Sequence, residues 1–337
     1  MTEIQRQQPV EILLAAFNAE EYLPRQIESI LNQTYANFNL LILDDHSSDG
    51  TQGLIKGYQA ADSRIVFVLP PQPFRQPLRS FEYLLGLSTA EIVFLSDHDD
   101  VWLPEKLSQQ LETIAPLTHS TGPLLVASNT YVAAAGIDTR TEFRDYPCFR
   151  KASFVSWFNA LNGQHKSSYL CHSNLVIGHT IALNRALVEL SLPFPDTIRM
   201  HDWWLAILAS LSGVIYVDER PMTLYRQHRD NSIGSSSRLR LLASFEFRGI
   251  LSLLPAMMTS LVQFAAAVDR VSRSYVVRPF DHSLKTFILT IPFCSRWQLL
   301  SGFLKFGLFA PIRDSPKLLG QVLMIFLHQP RRPKQHI

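Results

Sequence analysis

Short apolar runs alternate with amphipathic stretches through the first hundred residues. Val10–Ala16 (VEILLAA), Phe38–Leu43 (FNLLIL), Ile65–Leu69 and Ile92–Leu95 have the length and composition of buried strands. Between the first two, Leu23, Ile27, Ile30 and Leu31 fall on one helical face within Glu20–Asn32. Thr51–Ala61 and Arg79–Leu87 read as further helices, with Asp49 placed to cap the first of them. Pro104 predicts another helix start, where a missing N–H costs nothing. This alternation predicts right-handed crossovers and an α/β fold: a Rossmann-like, mostly parallel sheet flanked by helices. Farther on, Leu124–Ser128 and Leu175–Leu183 read as strands or buried segments, Val214–Val217 as a strand, and His201–Leu211 as a helix that Gly213 ends. Glu142–Lys166 has no clear period and reads as a long acceptor-facing loop or an ordinary irregular connection. From Arg238 onward helical patterns dominate, over Arg238–Arg278 and Leu299–Leu327. The chain thus divides into an α/β domain over residues 1–235 and a helical appendage over 236–337.

Composition narrows the class. Of 337 residues, 47% are apolar and 18% charged, enough for a sizeable core and too apolar for wholesale disorder. No apolar run approaches the roughly 20 residues that span a bilayer. The polar start shows no secretory signal. Cys148, Cys171 and Cys294 form neither a disulfide framework nor a zinc pattern. The expected location is the cytoplasm. The net charge of +2 hides an asymmetry: residues 1–112 hold 7 Lys and Arg against 16 Asp and Glu, whereas residues 235–337 hold 14 against 4. An acidic front calls for a cation, and a basic back for an anionic partner. Because the basic residues alternate with Leu, Phe and Ile, an anionic membrane surface fits them better than nucleic acid.

Ligands of open parallel sheets sit beyond the carboxyl ends of the strands. Three such ends carry Ala16-Phe17-Asn18, Asp44-Asp45 and Ser96-Asp97-His98-Asp99-Asp100, so five carboxylates share one edge. Like charges at this density need neutralising, and Mg²⁺ or Mn²⁺, completed by phosphate oxygens, does that most directly. A nucleoside diphosphate is the implied ligand. No Gly-x-Gly-x-x-Gly follows the first strand and no phosphate-binding Gly-x-x-x-x-Gly-Lys loop occurs, which sets aside dehydrogenases and P-loop enzymes.

These blocks resemble the family 2 glycosyltransferases, the inverting enzymes of GT-A fold. The resemblance covers roughly residues 10–235 and rests on five blocks in order: the first strand with Asn18, Ser29-Ile30-Leu31-Asn32-Gln33-Thr34, Asp44-Asp45 with Ser-Ser-Asp-Gly-Thr, Asp97-x-Asp99, and His201-Asp202-Trp203-Trp204. Tyr225-Arg226-Gln227-His228, with Asn231 and Gly234, resembles the bacterial rhamnosyltransferase-type branch. The resemblance implies that Asp45 hydrogen-bonds the donor's base, Phe17 stacks on it and Asn18 lines the same site. It implies Asp99 on the metal, Asp97 on the donor sugar or ribose, and Asp202 as catalytic base. Arg226 and His228 fall where late residues close over the diphosphate or complete the metal shell. Of Trp203 and Trp204, one reads as core and the other as a platform for the acceptor sugar. The chain departs from the family pattern at Ala15, His46 and Ser80, which puts donor contacts there in doubt.

The expected activity is transfer of a sugar, with dTDP-L-rhamnose the best-fitting donor, to a lipid-linked or oligosaccharide acceptor in cell-surface polysaccharide assembly. The enzyme would lie peripherally on the inner face of the membrane, with no nucleic-acid partner. Two other readings stay open: a nucleotidyltransferase, which would want a glycine-rich basic loop after the first strand, and a non-catalytic sugar-nucleotide or glycan-binding module, which would need no Asp202.

Overall fold

The computed structural model describes residues 9–118, 122–133, 146–171, 173–227 and 253–290. Its elements run β1 (Val10–Ala16), α1 (Leu23–Leu31), β2 (Phe38–Asp44), α2 (Thr51–Ala61), β3 (Ile65–Val68), α3 (Pro77–Leu87), β4 (Ile92–Asp97), β5 (Val101–Trp102) and α4 (Lys106–Ile114). They continue with β6 (Leu124–Ala133), α5 (Ala152–Ala160), α6 (Gly163–Leu170), β7 (Ile181–Asn184), α7 (Arg185–Ser191), α8 (His201–Ser212), β8 (Val214–Arg226), α9 (Leu253–Val271) and α10 (Pro279–Thr290). The strands form one sheet in the order β3-β2-β1-β4-β7-β6-β8-β5. β1 to β4 are mutually parallel, β7 runs antiparallel to both β4 and β6, and β8 is parallel to β6.

The sheet is buried on both faces, which is why its strands read as nearly continuous apolar runs. Side chains alternate between two layers. Leu13, Leu41, Val93 and Leu95 face the layer of α3 and α5 to α10, whereas Ile12, Leu14, Ile42 and Phe94 face α1, α2 and α4. Leu23, Ile27 and Ile30 are fully buried, so α1 docks by the predicted stripe. α9 and α10 join the first layer through Phe264, Ala267, Val268, Val271 and Leu284, all with no exposure. No helix of the described residues is long and apolar enough to cross a membrane. The basic stretch Leu299–Leu327 lies outside the described residues.

Three segments depart from the sequence reading. Residues 152–170 are two helices rather than an irregular connection, and Asn162 caps the second by accepting the amide of His165. Strand β8 runs on to Arg226, through a register shift opposite Asn129 that absorbs Pro221. Within Leu175–Leu183, read as strand or buried segment, Leu175 and Val176 are buried outside any strand and strand begins only at Ile181, because Gly178–Thr180 forms a single 3₁₀ turn. That turn brings a histidine to the acidic edge.

Candidate active site

The carboxyl ends of β1, β2 and β4 meet as the parallel topology requires: Ala16 is in register with Asp44, and Ala15 with Asp97. Just beyond β1, Phe17 is 47% exposed, and Asn18 takes a left-handed backbone (φ 46°). Its Oδ1 accepts the amide of Ser48 at 2.9 Å, and the Ser47 hydroxyl accepts the Asn18 amide at 2.8 Å, so the loops after β1 and β2 are locked together. Asp45 is buried and holds the loop after β3, accepting the amides of Phe74 (2.6 Å) and Arg75 (2.5 Å) on its two oxygens.

After β4, Asp97 and Asp100 converge with His179 of the 3₁₀ turn. One oxygen of each carboxylate and one ring nitrogen lie within 4.8 Å of one another. His179 Nδ1 is 2.7 Å from Asp100 Oδ2 and 3.7 Å from Asp97 Oδ2. Asp100 and His179 have no exposed surface, whereas the Asp97 side chain is 36% exposed and opens the cluster to solvent. Among the described residues, neither ring nitrogen of His179 nor Asp100 Oδ2 is aligned with a hydrogen-bond partner. Buried polar atoms whose bonding geometry is left incomplete are costly, and two oxygens with one imidazole nitrogen suit Mn²⁺ better than the all-oxygen preference of Mg²⁺. The cluster therefore fits a divalent cation.

The three charges act strongly on one another. Burial works to lower the His179 imidazole, but Asp100 and Asp97 outweigh it and push it up to about 10. Burial likewise works to raise Asp97, yet His179 holds it below the usual carboxylate range. At Asp100 burial prevails, with the charges of Asp99 and Asp97 adding to it, and lifts the carboxyl to about 6. At neutral pH the protonated His179 imidazole thus offsets part of the charge of the two carboxylates.

Asp99, predicted on the metal, is not part of this trio; its backbone oxygen accepts Arg226 Nε at 2.9 Å. The Arg226 amide donates to Asp100 Oδ1 at 3.1 Å, and its guanidinium lies 4.6 Å from the Tyr22 ring centre, so Arg226 closes the turn from the end of β8. His228 lies outside the described residues. His179 was not singled out in the sequence; its only local signal is a histidine after a glycine, with no motif spacing.

Asp202 stands in the first turn of α8, buried, with Oδ1 accepting the Trp203 amide at 2.6 Å and Asn174 donating from its side chain. Burial raises its pKa; His201, the Trp203 N–H and Asn174 act against that rise, and the charge of Asp97 adds to it. His201 stacks on Phe81 with centroids 4.2 Å apart and packs on Gly178, where a Cβ would stand 2.7 Å from Nε2. A side chain at position 178 would force the start of α8 and the His179 turn apart. Trp203 and Trp204 do not form the predicted platform. Both are buried, and their indole N–H groups donate to Leu170 O (2.6 Å) and Ser191 O (3.1 Å).

Behind the cluster lies Lys106, fully buried, its Nζ donating to Gln110 Oε1 at 2.5 Å and 4.7 Å from the Trp102 ring centre. Burial lowers it to about 7 against the pull of Asp100. The unfolded chain holds this proton up to about pH 10.5, so folding is penalised fully below pH 7 and not at all above 10.5. Lys106→Met is therefore expected to gain stability relative to wild type at pH 6–7 and to lose that gain by pH 10.5. The loss of the Gln110 hydrogen bond shifts the difference equally at every pH. Chemical denaturation across this range checks it; a pH-independent difference would show that Lys106 titrates normally.

Comparison with known proteins decides the family. The family model "Glycosyl transferase family 2" matches residues 11–185, just over half of the chain. The chain belongs to glycosyl transferase family 2. Among curated relatives of this glycosyltransferase, the dTDP-rhamnosyl transferase RfbG of Shigella flexneri is 24% identical over 66% of this chain and 74% of its own length. The Escherichia coli UDP-Glc:alpha-D-GlcNAc-diphosphoundecaprenol beta-1,3-glucosyltransferase WfgD is 34% identical over 30% of this chain and 39% of its own. The match to WfgD thus covers well under half of that relative. In solved structures, S. aureus TarS residues 1–349 superimpose with a TM-score of 0.54 at 12% identity, covering 89% of this chain and 72% of TarS. The complex of TarS 1–349 with UDP-GlcNAc gives 0.51 at 13% identity, covering 84% and 80%. The likeness establishes the GT-A-like fold predicted from the sequence. The glycosyltransferase acts on nucleotide sugars, as its family does.

Proposed function

We propose that this glycosyltransferase moves a deoxyhexose from dTDP-L-rhamnose, with inversion, to a hydroxyl of a lipid-linked saccharide in cell-surface polysaccharide assembly. The observation that carries the reading is the meeting of a buried carboxylate, Asp202, with the Asp97, Asp100 and His179 cluster at one sheet edge. A non-catalytic binding module needs no such carboxylate. The similarity to RfbG along two thirds of the chain supports the donor.

In this reading Asp97, Asp100 and His179 hold Mn²⁺ or Mg²⁺. When bound, the ion offsets charge on the departing diphosphate. Phe17 offers an exposed ring for the base, and Asp45 shapes the base pocket by holding the Phe74–Arg75 turn. Arg226 fixes the Asp99–Asp100 turn and brings positive charge to the diphosphate side. Asp202 takes the proton of the acceptor hydroxyl, approaching within about 3 Å, and its raised pKa suits a base. The cationic region beyond residue 235 holds the enzyme peripherally on the inner face of the membrane, where a lipid-linked acceptor resides.

A thermal-shift panel with Mn²⁺ and dTDP, UDP or GDP tests the donor. At 100 times its Kd a ligand adds about 2.7 kcal/mol. A Mn²⁺-dependent rise with dTDP above the other two is expected; a preference for UDP or GDP would overturn the rhamnose donor while leaving the family intact.

A further inference from the structure

The base helix α8 has no capping side chain of its own: its N-cap is Met200, in extended conformation, without a side-chain hydrogen bond. The chain leading into it is gripped from two sides. From α3, Glu82 Oε1 accepts the Phe194 amide at 2.8 Å, and Arg79 bonds Asp196 at 2.5 Å. From α9, Arg270 donates to the carbonyl oxygens of Leu192 (2.7 Å) and Pro193 (2.8 Å). Gln263 Oε1 accepts the amide of Arg199 at 2.9 Å, three residues before Asp202.

Gln263 is an unexpected residue for packing alone. It has no exposed surface, and among the described residues its Nε2 has no hydrogen-bond partner, so this amide sits in the core at a net energetic cost. Its neighbours Phe264, Ala267 and Val268 already supply the apolar contact with α8. What Gln263 adds is one acceptor at the entry to the base helix. Both Gln263 and Arg270 lie beyond residue 185, where the family match ends.

We infer that α9 is a working part of the active site, with Gln263 and Arg270 acting as positioning residues that set the place of Asp202. This rests on Asp202 being the base. The helical region after residue 235 then serves catalysis as well as packing, and the α/β domain cut at 235 would lack a support of its own catalytic helix. Because misplacing a reacting group by about 1 Å can cost a hundredfold in rate, loss of one such anchor should be visible in turnover.

The test uses the full chain. Turnover is read as nucleoside diphosphate released from the nucleotide sugar whose diphosphate gives the Mn²⁺-dependent thermal shift, with water as acceptor. Gln263→Leu, which keeps the volume and removes the acceptor, is expected to lower kcat about tenfold or more. The Mn²⁺-nucleotide Kd should stay within about twofold, because the metal cluster is held by other elements. Gln263→Glu, which keeps an oxygen acceptor, should recover most of the loss. Should Gln263→Leu fail to fold, Arg270→Met, at a partly exposed side chain, makes the same comparison. Unchanged kcat, or an equal loss of kcat and nucleotide affinity, would overturn the inference. Asp202→Asn run alongside separates the two ideas. If it is fully active, the base assignment fails; if it is inactive while Gln263→Leu is normal, only the role of α9 fails.

Discussion

Asp202→Asn is expected to lower kcat by a hundredfold or more while leaving the Mn²⁺-nucleotide Kd within about twofold. The substitution is nearly isosteric. Asparagine keeps an oxygen for the Trp203 amide, now accepted by Oδ1 at 2.6 Å, so the start of α8 should hold its shape. What disappears is the lone pair that takes the acceptor's proton. Wild-type activity should also carry an acid limb: Asp202 acts only when ionised, and burial raises its pKa above the ordinary aspartate value. As pH falls through that raised value the base is protonated and turnover drops. Initial rates over a pH series, with nucleotide affinity measured separately, check both statements. Turnover above a tenth of wild type in Asp202→Asn would remove the base role from this residue.

Much of the fold was legible because the first 115 residues express their structure locally. Buried parallel strands are apolar runs, and the helices between them carry one apolar face, so β1 to β4 and α1 to α3 lie close to their predicted spans. The failures have physical causes. α5 and α6 are short, and their aromatic residues Phe154, Phe158 and Tyr169 mask any polar face. β8 contains Asp218-Glu219-Arg220-Pro221, which breaks the apolar pattern although Asn129 bridges the interruption by bonding Glu219 O and Arg150 O. One tryptophan of α8 is expected as core and the other as a sugar platform; both are core, because two backbone carbonyls satisfy their indole N–H groups inside it. At the site, the acidic run after β4 was legible as a crowd of carboxylates at one sheet edge. Which carboxylates converge was not, since that depends on where β7 enters the sheet beside β4.

His179→Ala is expected to abolish the Mn²⁺-dependent thermal shift and to weaken Mn²⁺-nucleotide binding by at least about tenfold. The argument starts from the sheet. β7 is antiparallel to β4, so the turn before β7 lies beside the end of β4, and His179 meets Asp97 and Asp100 there. Gln110, fully buried, ties that turn in place by donating to Thr180 O at 2.9 Å, so the ring is held independently of any ligand. Removing the imidazole leaves two carboxylates with one ligand fewer and without their nearest counter-charge in metal-free protein. Nucleotide binding measured without divalent cation should change far less, which separates loss of a ligand from general damage. His98→Ala is the matched control, because His98 Nδ1 sits by Ala15 O at 3.3 Å, outside the trio. His228→Ala discriminates between the geometry and the sequence reading. Full Mn²⁺ dependence in His179→Ala, with its loss in His228→Ala, would place the metal on the late histidine and reduce His179 to a buried counter-ion for Asp100. The reverse pattern would assign the cation to a turn that no sequence motif marks.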